Sequence, residues 1–431
     1  MGEKPPTVHK KRIEYRLRVA VYAFLVGTVI GKARSLELGR IGQHMANAWT
    51  VDEQQFMQRA LDVAELGRGK VSPNPLVGCV LVKDGVIIAE CWHDHLGGLH
   101  AEQMAIHDAE SNGHSPNGSV AYVTLEPCNH FGRTPPCTEA LMWAGVKEVI
   151  VAHYDPNPTV RGKGIQVLQD AGIEVRQGLL ESEASIQMSP FLHWCEHRRP
   201  QVTVKLAVDA NGSVDDRHLE SQRFTSETCL DRVHMLRNEC DAVLVGAETV
   251  IRDDPLLTVR LVPCERQPLR VVLDPNNRTP PTAKLFADGL ETLHMKVDFT
   301  SLSALLNLLG DREIQRLMVE GGPKTISSFL DQGLVDEFYF IQSSVVHTEP
   351  VASGIDAKRL SAAGLTRIST EELGDEVLHL WSRLNTSTQS IRSLKFAHPS
   401  EHPRRHRYDT CVVRRGNGSA SLERHDSMAE D

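Results

Sequence analysis

The chain has 431 residues, 24% of them charged, and a formal net charge of −9 at neutral pH. This length predicts two or three domains, each with its own apolar core. The acidic balance excludes a general electrostatic attraction to nucleic acid or to an anionic membrane. The nine cysteines are dispersed along the chain, which indicates a reducing compartment rather than a disulfide framework.

Residues 1–49 differ in composition from the rest, because they hold nine Lys or Arg against three Glu. Within them, residues 19–31 form an uncharged run that is too short to span a bilayer comfortably. Basic residues ahead of a short apolar run are typical of a secretory signal, and an acid-poor N-terminus with Arg is typical of an organelle transit peptide. We interpret the segment as a basic extension of a cytoplasmic enzyme that starts near Met45, with plastid targeting as the alternative.

Residues 50–195 show alternating helical and strand patterns. Asp52 is placed to cap a helix that carries Phe56, Ala60, Val63 and Ala64 on one face and ends before Gly67. Two apolar runs separated by Lys-Asp-Gly predict a hairpin with a tight turn. The other predicted elements are a helix, a strand, a helix and a strand, over residues 100–109, 121–125, 138–144 and 146–152. This alternation predicts a mixed sheet covered by helices.

One group of residues in this region has the composition of a catalytic zinc site. His100 precedes Glu102 by two positions, and Cys128 is followed by an eight-residue spacer and then by Cys137. One imidazole and two thiolates fill three positions of a zinc tetrahedron and leave the fourth for water. Zinc lowers the pKa of that water, and a carboxylate at Glu102 can carry its proton to a leaving amine. The residues therefore predict hydrolytic deamination with Glu102 as the catalytic residue.

Each of these residues alone has a simpler interpretation. A single buried Cys is usually a small apolar side chain, and His-Ala-Glu can open an ordinary helix. The spacing favours zinc, and the other seven cysteines show no second ligand pattern. Deaminases that act on nucleic-acid bases have only two residues between their cysteines, which distinguishes them from this chain.

Residues 200–384 predict a second α/β domain, after a polar and basic stretch at residues 193–200 that ends in proline. The patterns predict a strand, a helix and two strands over residues 201–208, 226–237, 241–246 and 269–273. Such a sheet binds ligands at the carboxyl ends of its strands. Gly321 and Gly322 separate a strand from a helix, which can form a phosphate cradle but is also common in simple turns.

Four segments closely resemble the bifunctional deaminase and reductase family of riboflavin biosynthesis. They are Pro73-Asn74-Pro75-Leu76-Val77-Gly78, His100-Ala101-Glu102, the run TLEPCNHFGRTPPC at residues 124–137, and Asp155-Pro156-Asn157-Pro158. The resemblance covers residues 52–384. It implies a cytidine-deaminase-like three-layer domain followed by a dihydrofolate-reductase-like α/β domain that uses NADPH.

The resemblance also implies roles for individual residues. Asn74 would contact the substrate ring in the deaminase domain, where a side-chain amide can read a heterocycle edge. In the reductase domain, Ser221, Arg237, Arg260 and Glu320 would contact the phosphorylated substrate. The dinucleotide would contact Thr249, Asp253, Arg223, Gly321 and Gly322.

Two departures from the family pattern lie in the reductase domain. Where the family has Ala-x-Ser-Leu-Asp-Gly, this chain has residues 207–212 with Asp209 and Asn211 in place of Ser and Asp. Where the family has Ser-x-Trp, Arg223 replaces the aromatic residue. An arginine there can still pair with a cofactor phosphate. A catalytically degenerate reductase that only supports the deaminase is therefore an alternative.

Residues 385–431 lose apolar periodicity and become rich in Ser, Thr, Arg and His, which predicts a disordered tail. The residues themselves predict zinc-dependent hydrolytic deamination. The resemblance implies that the substrate is a diaminopyrimidinone ribosyl phosphate and that NADPH then reduces its ribosyl group. The expected partners are this small molecule and further copies of the chain, without nucleic acid or membrane. A nucleic-acid base deaminase and a non-enzymatic zinc-stabilised binding module are the remaining alternatives.

Overall fold

The computed structural model describes residues 49–130, 135–157, 163–217, 224–296 and 302–383. The predictions for the basic N-terminal extension, for the C-terminal tail and for Ser221 and Arg223 lie outside these residues. Among the described helices, none is long and apolar enough to cross a membrane.

The first half of the described chain forms a five-stranded sheet with helices on both faces. Its elements are α1 (Val51–Ala64), β1 (Gly78–Lys83), β2 (Val86–Trp92), α2 (Ala101–Ser111), β3 (Val120–Leu125), α3 (Cys137–Trp143), β4 (Glu148–His153), α4 (Lys163–Asp170), β5 (Glu174–Gln177), α5 (Glu181–Gln187) and α6 (Ser189–His197). The strand order is β2-β1-β3-β4-β5. β1 runs antiparallel to both of its neighbours, β2 and β3, whereas β3, β4 and β5 are mutually parallel.

Local sequence explains how this half begins. Thr50, rather than the predicted Asp52, caps α1, because its hydroxyl accepts the amide of Glu53 while the Glu53 carboxylate accepts the amide of Thr50. This reciprocal arrangement satisfies two amides that have no partner within the helix. The turn between β1 and β2 consists of Asp84 and Gly85, both with positive φ, as a tight hairpin requires.

The second half forms an eight-stranded sheet and a small two-stranded one. Its elements are β6 (Gln201–Val208), β7 (Ser213–Asp216), α7 (Glu227–Asn238), β8 (Ala242–Gly246), α8 (Ala247–Asp253), β9 (Leu269–Leu273), α9 (Lys284–Ala287), β10 (Thr292–Met295), α10 (Leu302–Asp311), β11 (Arg316–Val319), α11 (Pro323–Asp331), β12 (Glu337–Ser343), β13 (Pro350–Ala352), α12 (Ala357–Ala362), β14 (Thr366–Leu373) and β15 (Glu376–Ser382). The large sheet has the order β10-β9-β8-β11-β6-β12-β15-β14, and β13 pairs with β7. The strands are parallel from β10 to β12, and β15 and β14 extend the sheet antiparallel.

Each large sheet has an apolar cluster on both of its faces, so each half is a three-layer α/β domain. Most of the stretch predicted as a connection, residues 193–200, is helical, because α6 continues to His197. The helix is held there by the second domain: the Trp194 indole donates to the carbonyl of Gly310 at 2.9 Å. The chain then passes from Arg198 to Pro200 and enters β6.

The close approach of α1 to β1 generates a stability prediction. A Cβ added at Gly78 would lie 1.9 Å from the carbonyl oxygen of Ala60, so Gly78→Ala must push the helix away from the sheet. Overpacking of this kind costs about 1–3 kcal/mol. We expect the thermal transition of the first domain to fall by several degrees. The matched change Val86→Ala, at an exposed position of the same hairpin, should cost less than about 0.5 kcal/mol. An unchanged transition in Gly78→Ala would show that this contact does not constrain the domain.

Candidate zinc centre and reductase site

Three elements of the first domain bring the predicted zinc ligands together. His100 directly precedes α2, Cys128 lies three residues beyond the end of β3, and Cys137 begins α3. The His100 Nδ1 atom lies 3.2 Å from the sulfur of Cys137 and 3.5 Å from that of Cys128. Within the described residues, this is the one group of three or more His, Cys, Asp or Glu whose ligand atoms converge as a metal site requires. One nitrogen and two sulfurs match the donor set that zinc prefers.

The two sulfurs share a hydrogen bond that separates their pKa values. The bond from Cys137, assisted by His100, lowers the pKa of the Cys128 thiol to about 4, although burial opposes this. The same bond, together with burial, raises the pKa of Cys137 well above its usual value. Zinc would bind both sulfurs as thiolates, with Cys128 as the more acidic of the two thiols.

Glu102 is the second residue of α2, only 3% exposed, and lies beside the three ligands. Burial raises the pKa of its carboxyl group, and the negative charge at Cys128 raises it further. Its Oε2 atom is buried and has no hydrogen-bond partner among the described residues. A buried oxygen without a partner is costly unless a ligand or water completes it. This oxygen therefore fits a water molecule held at the fourth zinc position.

The loop that carries Cys128 is anchored by Glu126, which the sequence patterns did not single out. One oxygen of this buried carboxylate accepts the amide of Gly164 at 3.1 Å, and the other accepts the amide of Asp155 at 3.2 Å. Gly164 packs so closely that a Cβ there would lie 2.0 Å from the carbonyl oxygen of Pro127. The backbone of Asp155 therefore supports the ligand loop through Glu126. The sequence signal that could have identified Glu126 was its position as the single acidic residue directly before Pro127 and Cys128.

The predicted substrate contact Asn74 lies on the connection between α1 and β1 and pairs with His93, a second residue that the sequence patterns missed. The Asn74 amide nitrogen lies 2.9 Å from His93 Nε2, and His93 Nδ1 lies 2.9 Å from the carbonyl oxygen of Leu99. A carbonyl only accepts, so Nδ1 carries the ring proton and Nε2 accepts from Asn74. Burial lowers the pKa of His93, which favours this neutral ring. Its position just after β2 was the available signal.

In the second domain, Arg237 and Glu320 form a buried ion pair. The guanidinium of Arg237, which is 7% exposed, donates to both carboxylate oxygens of Glu320, at 2.8 and 3.0 Å, and to the carbonyl of Thr258 at 2.8 Å. Lys205 lies 3.9 Å from the same carboxylate. Burial alone would raise the pKa of Glu320, but the charges of Arg237 and Lys205 hold it below its usual value. The site therefore holds an ionised carboxylate between two cations.

The other predicted reductase residues fall into one neighbouring group and two surface positions. Gly246 ends β8, and Gly321 lies two residues beyond the end of the adjacent parallel strand β11. A Cβ on either would meet Thr325 at less than 3 Å. A Cβ added at Gly322 would have the Thr249 hydroxyl as its nearest neighbour, at 3.9 Å, which is an ordinary van der Waals distance. Asp253 ends α8 on the surface, and Arg260 is exposed near Thr258. Contact of all these residues with substrate or cofactor stays a prediction.

The departure at residues 207–212 has a structural explanation. Asp209 is fully buried, and its Oδ1 atom accepts the backbone amides of Asn211 and Ser213 at 2.9 and 2.7 Å. The amide of His347 donates to its other oxygen at 3.0 Å. Asp209 therefore closes the turn between β6 and β7, and the substituted segment keeps an ordered backbone.

Comparison with known proteins agrees with this geometry. Residues 50–153 match the model of the cytidine and deoxycytidylate deaminase zinc-binding region, and residues 200–373 match the RibD C-terminal domain. The riboflavin biosynthesis protein RibD of Aquifex aeolicus is 38% identical over 355 residues, covering 77% of this chain and 98% of the relative. RibD of Escherichia coli K12 is 37% identical over 352 residues, covering 74% and 94%.

Two solved structures share the whole two-domain arrangement. One is the diaminohydroxyphosphoribosylaminopyrimidine deaminase/5-amino-6-(5-phosphoribosylamino)uracil reductase of Thermotoga maritima, at 35% identity and a TM-score of 0.70, covering 76% of this chain and 98% of that chain. The other is Acinetobacter baumannii RibD, at 34% identity and a TM-score of 0.70, covering 78% and 99%. A zinc deaminase domain joined to a reductase domain defines a bifunctional enzyme. The chain belongs to the RibD family of riboflavin biosynthesis proteins, which confirms the resemblance and the predicted fold class.

The ligand geometry predicts the metal content of variants. Purified protein should hold one zinc ion per chain, and Cys137→Ser should weaken zinc binding by at least about tenfold, because a thiolate is replaced by a poor ligand. Competition with a chromogenic chelator measures this directly. Cys264→Ser, at a partly buried cysteine of the second domain, is the matched control and should retain full zinc. Equal zinc affinity in Cys137→Ser would remove this residue from the ligand set.

Proposed function

We propose that this chain catalyses two successive steps on one pyrimidine. The first is deamination of 2,5-diamino-6-(5-phosphoribosylamino)pyrimidin-4-one, and the second is reduction of the ribosyl group of the product to a ribityl chain. The observation that carries the proposal is the convergence of His100, Cys128 and Cys137 beside the buried Glu102, in a chain whose residues 200–373 also match the RibD C-terminal domain. The substrate is inferred from what the relative from Thermotoga maritima is named for.

In the deaminase domain, His100, Cys128 and Cys137 would hold zinc, which supplies a water of lowered pKa. Burial raises the pKa of Glu102, which makes it a stronger base, so that it can accept a proton from that water and give it to the departing amine. Asn74 has its amide nitrogen directed by His93, so its carbonyl oxygen is fixed as an acceptor for a ring N–H of the substrate.

In the reductase domain, the family indicates a nicotinamide cofactor, and we infer that NADPH is preferred to NADH. The cofactor would lie over the carboxyl ends of β8 and β11, against Thr249, Gly321 and Gly322. Arg260 and Arg237, near Thr258, would face the phosphorylated substrate, since an arginine pairs well with phosphate oxygens. The ion pair of Arg237 with Glu320 fixes the orientation of both side chains. Comparison of the KM values of NADPH and NADH tests the preference.

A deaminase with a silent second domain is the alternative, and no observation favours it. The buried Arg237 and Glu320 pair and the ordered turn at Asp209 are both consistent with an active reductase. We further propose a homo-oligomer that functions in the cytoplasm. Light scattering of the purified protein and localisation of a tagged full-length chain test these two points.

The catalytic role of Glu102 predicts a selective loss. With the diaminopyrimidinone substrate, Glu102→Gln should lower the rate of ammonia release by about 10² to 10⁴-fold, because a general acid and base contributes that much. NADPH oxidation should fall in parallel, since the reductase then lacks its substrate. When the deaminated pyrimidine is supplied directly, the same variant should oxidise NADPH at the wild-type rate.

Two results would contradict this proposal. Ammonia release at an undiminished rate by Glu102→Gln would remove its proposed role. Absence of NADPH oxidation by the wild-type protein on the deaminated pyrimidine would remove the reductase half.

A further inference from the structure

We propose that Gln315, a residue of the reductase domain, is a positioning residue for the deaminase reaction. The structure places its side-chain amide against the loop that carries Asn74, so the second domain completes the substrate side of the first. This inference rests on the proposed deaminase function. It extends that function, because it assigns a part in the deaminase site to a residue from outside the deaminase domain.

The contact is direct and buried. Gln315 is 4% exposed, and its Nε2 atom donates to the carbonyl oxygen of Pro73 at 2.5 Å. Pro73 immediately precedes Asn74. The carbonyl of Pro73 and the backbone N–H of Asn74 lie in one peptide plane, so a hydrogen bond to that carbonyl limits rotation of the peptide that leads into Asn74. The donor therefore acts on the backbone that orients the Asn74 side chain.

Gln315 is itself fixed by its own domain. The backbone carbonyl of Gln315 accepts a hydrogen bond from the backbone amide of Gln201, at the start of β6, at 2.8 Å. The backbone amide of Gln315 donates to the buried carboxylate of Asp241 at 2.8 Å. The same carboxylate oxygen accepts the backbone amide of Arg316 at 3.0 Å. Arg266 neutralises the other oxygen of that carboxylate at 2.6 Å. The side chain of Gln315 thus projects from a rigid strand end, which is what precise positioning requires.

From the loop, the hydrogen bonds continue to the zinc ligands. Asn74 donates to Nε2 of His93, and Nδ1 of His93 donates to the carbonyl of Leu99, the residue before His100. An unbroken series of contacts therefore leads from Asp241 of the reductase domain to the first zinc ligand. Loss of the Gln315 donor would leave the hydrogen bonds of His93 to Asn74 and Leu99 in place. It would remove only the contact that holds the Asn74 loop against the reductase domain.

A second hydrogen bond between the domains provides a matched control. The Trp194 indole donates to the backbone carbonyl of Gly310, just as the Gln315 side chain donates to that of Pro73. The Trp194 bond, however, joins the helices α6 and α10, which are far in sequence from the Asn74 loop. If Gln315 served only to attach the domains to each other, Trp194→Phe and Gln315→Met would have similar effects. If Gln315 positions the loop, the two variants differ in the deaminase reaction alone.

The test compares wild type, Gln315→Met and Trp194→Phe as zinc-loaded full-length chains. Methionine has nearly the size of glutamine but no donor. We expect Gln315→Met to raise the KM for deamination about tenfold, with kcat within about threefold, because a misplaced Asn74 weakens substrate binding. Zinc content and NADPH oxidation on the deaminated pyrimidine should equal the wild-type values. Gln315→Glu, which has the same size and only accepts when ionised, should show the same rise in KM.

Hydrogen exchange of residues 71–77 supplies a measurement that needs no substrate. Amides of this loop should exchange faster in Gln315→Met than in wild type, whereas Trp194→Phe should leave them unchanged. An unchanged exchange rate in Gln315→Met, or an equal rise in KM in Trp194→Phe, would overturn the positioning role. Failure of the wild-type protein to release ammonia would instead count against the proposed function, and the exchange experiment would still decide the role of Gln315.

Discussion

The convergence of one imidazole and two thiolates is the constraint on which the deaminase domain depends. The ligand atoms of residues 100, 128 and 137 must lie within a few ångströms of each other, and these residues stand at the starts of two helices and just beyond a strand of the five-stranded sheet. The shared hydrogen bond that sets Cys128 as the more acidic thiol exists because this packing places the sulfurs in contact. Glu126 and Gly164 hold the loop so that the ligands keep that geometry.

A comparable constraint acts in the reductase domain, where a buried carboxylate is held between cations. An ionised Glu320 would be costly in a buried place without Arg237 and Lys205. Both sites lie at strand ends, where parallel neighbours bring successive loops together. The two domains are therefore similar in plan: a rigid sheet supplies the positions, and the loops supply charged or metal-binding side chains.

Local chemistry explains what could be predicted from the sequence. The spacing of His100, Glu102, Cys128 and Cys137 indicates a zinc site, because few other functions need those residue types together. Hairpins and strands could be predicted because their patterns depend on residues that are neighbours in the chain. The cap at Thr50 was missed because Asp52 is also an acceptable cap, and only the reciprocal bond with Glu53 separates them. The helical end of α6 was missed because its basic and polar sequence is typical of a connection, whereas the contact of Trp194 with the second domain depends on residues distant in the chain.

Contacts between the domains could not be predicted, because no local pattern records them. Gln315 and Pro73 are 242 residues apart, and a single buried glutamine before a strand has no distinctive spacing. Asp209 departs from the family pattern in sequence, yet its carboxylate supplies the contacts that close the turn. The most direct test of the claim that both sites of this chain are active is to let limiting diaminopyrimidinone substrate react completely with excess NADPH and to compare the total ammonia released with the total NADPH oxidised. Equal amounts of ammonia released and NADPH oxidised are predicted, and ammonia without NADPH oxidation would contradict the account.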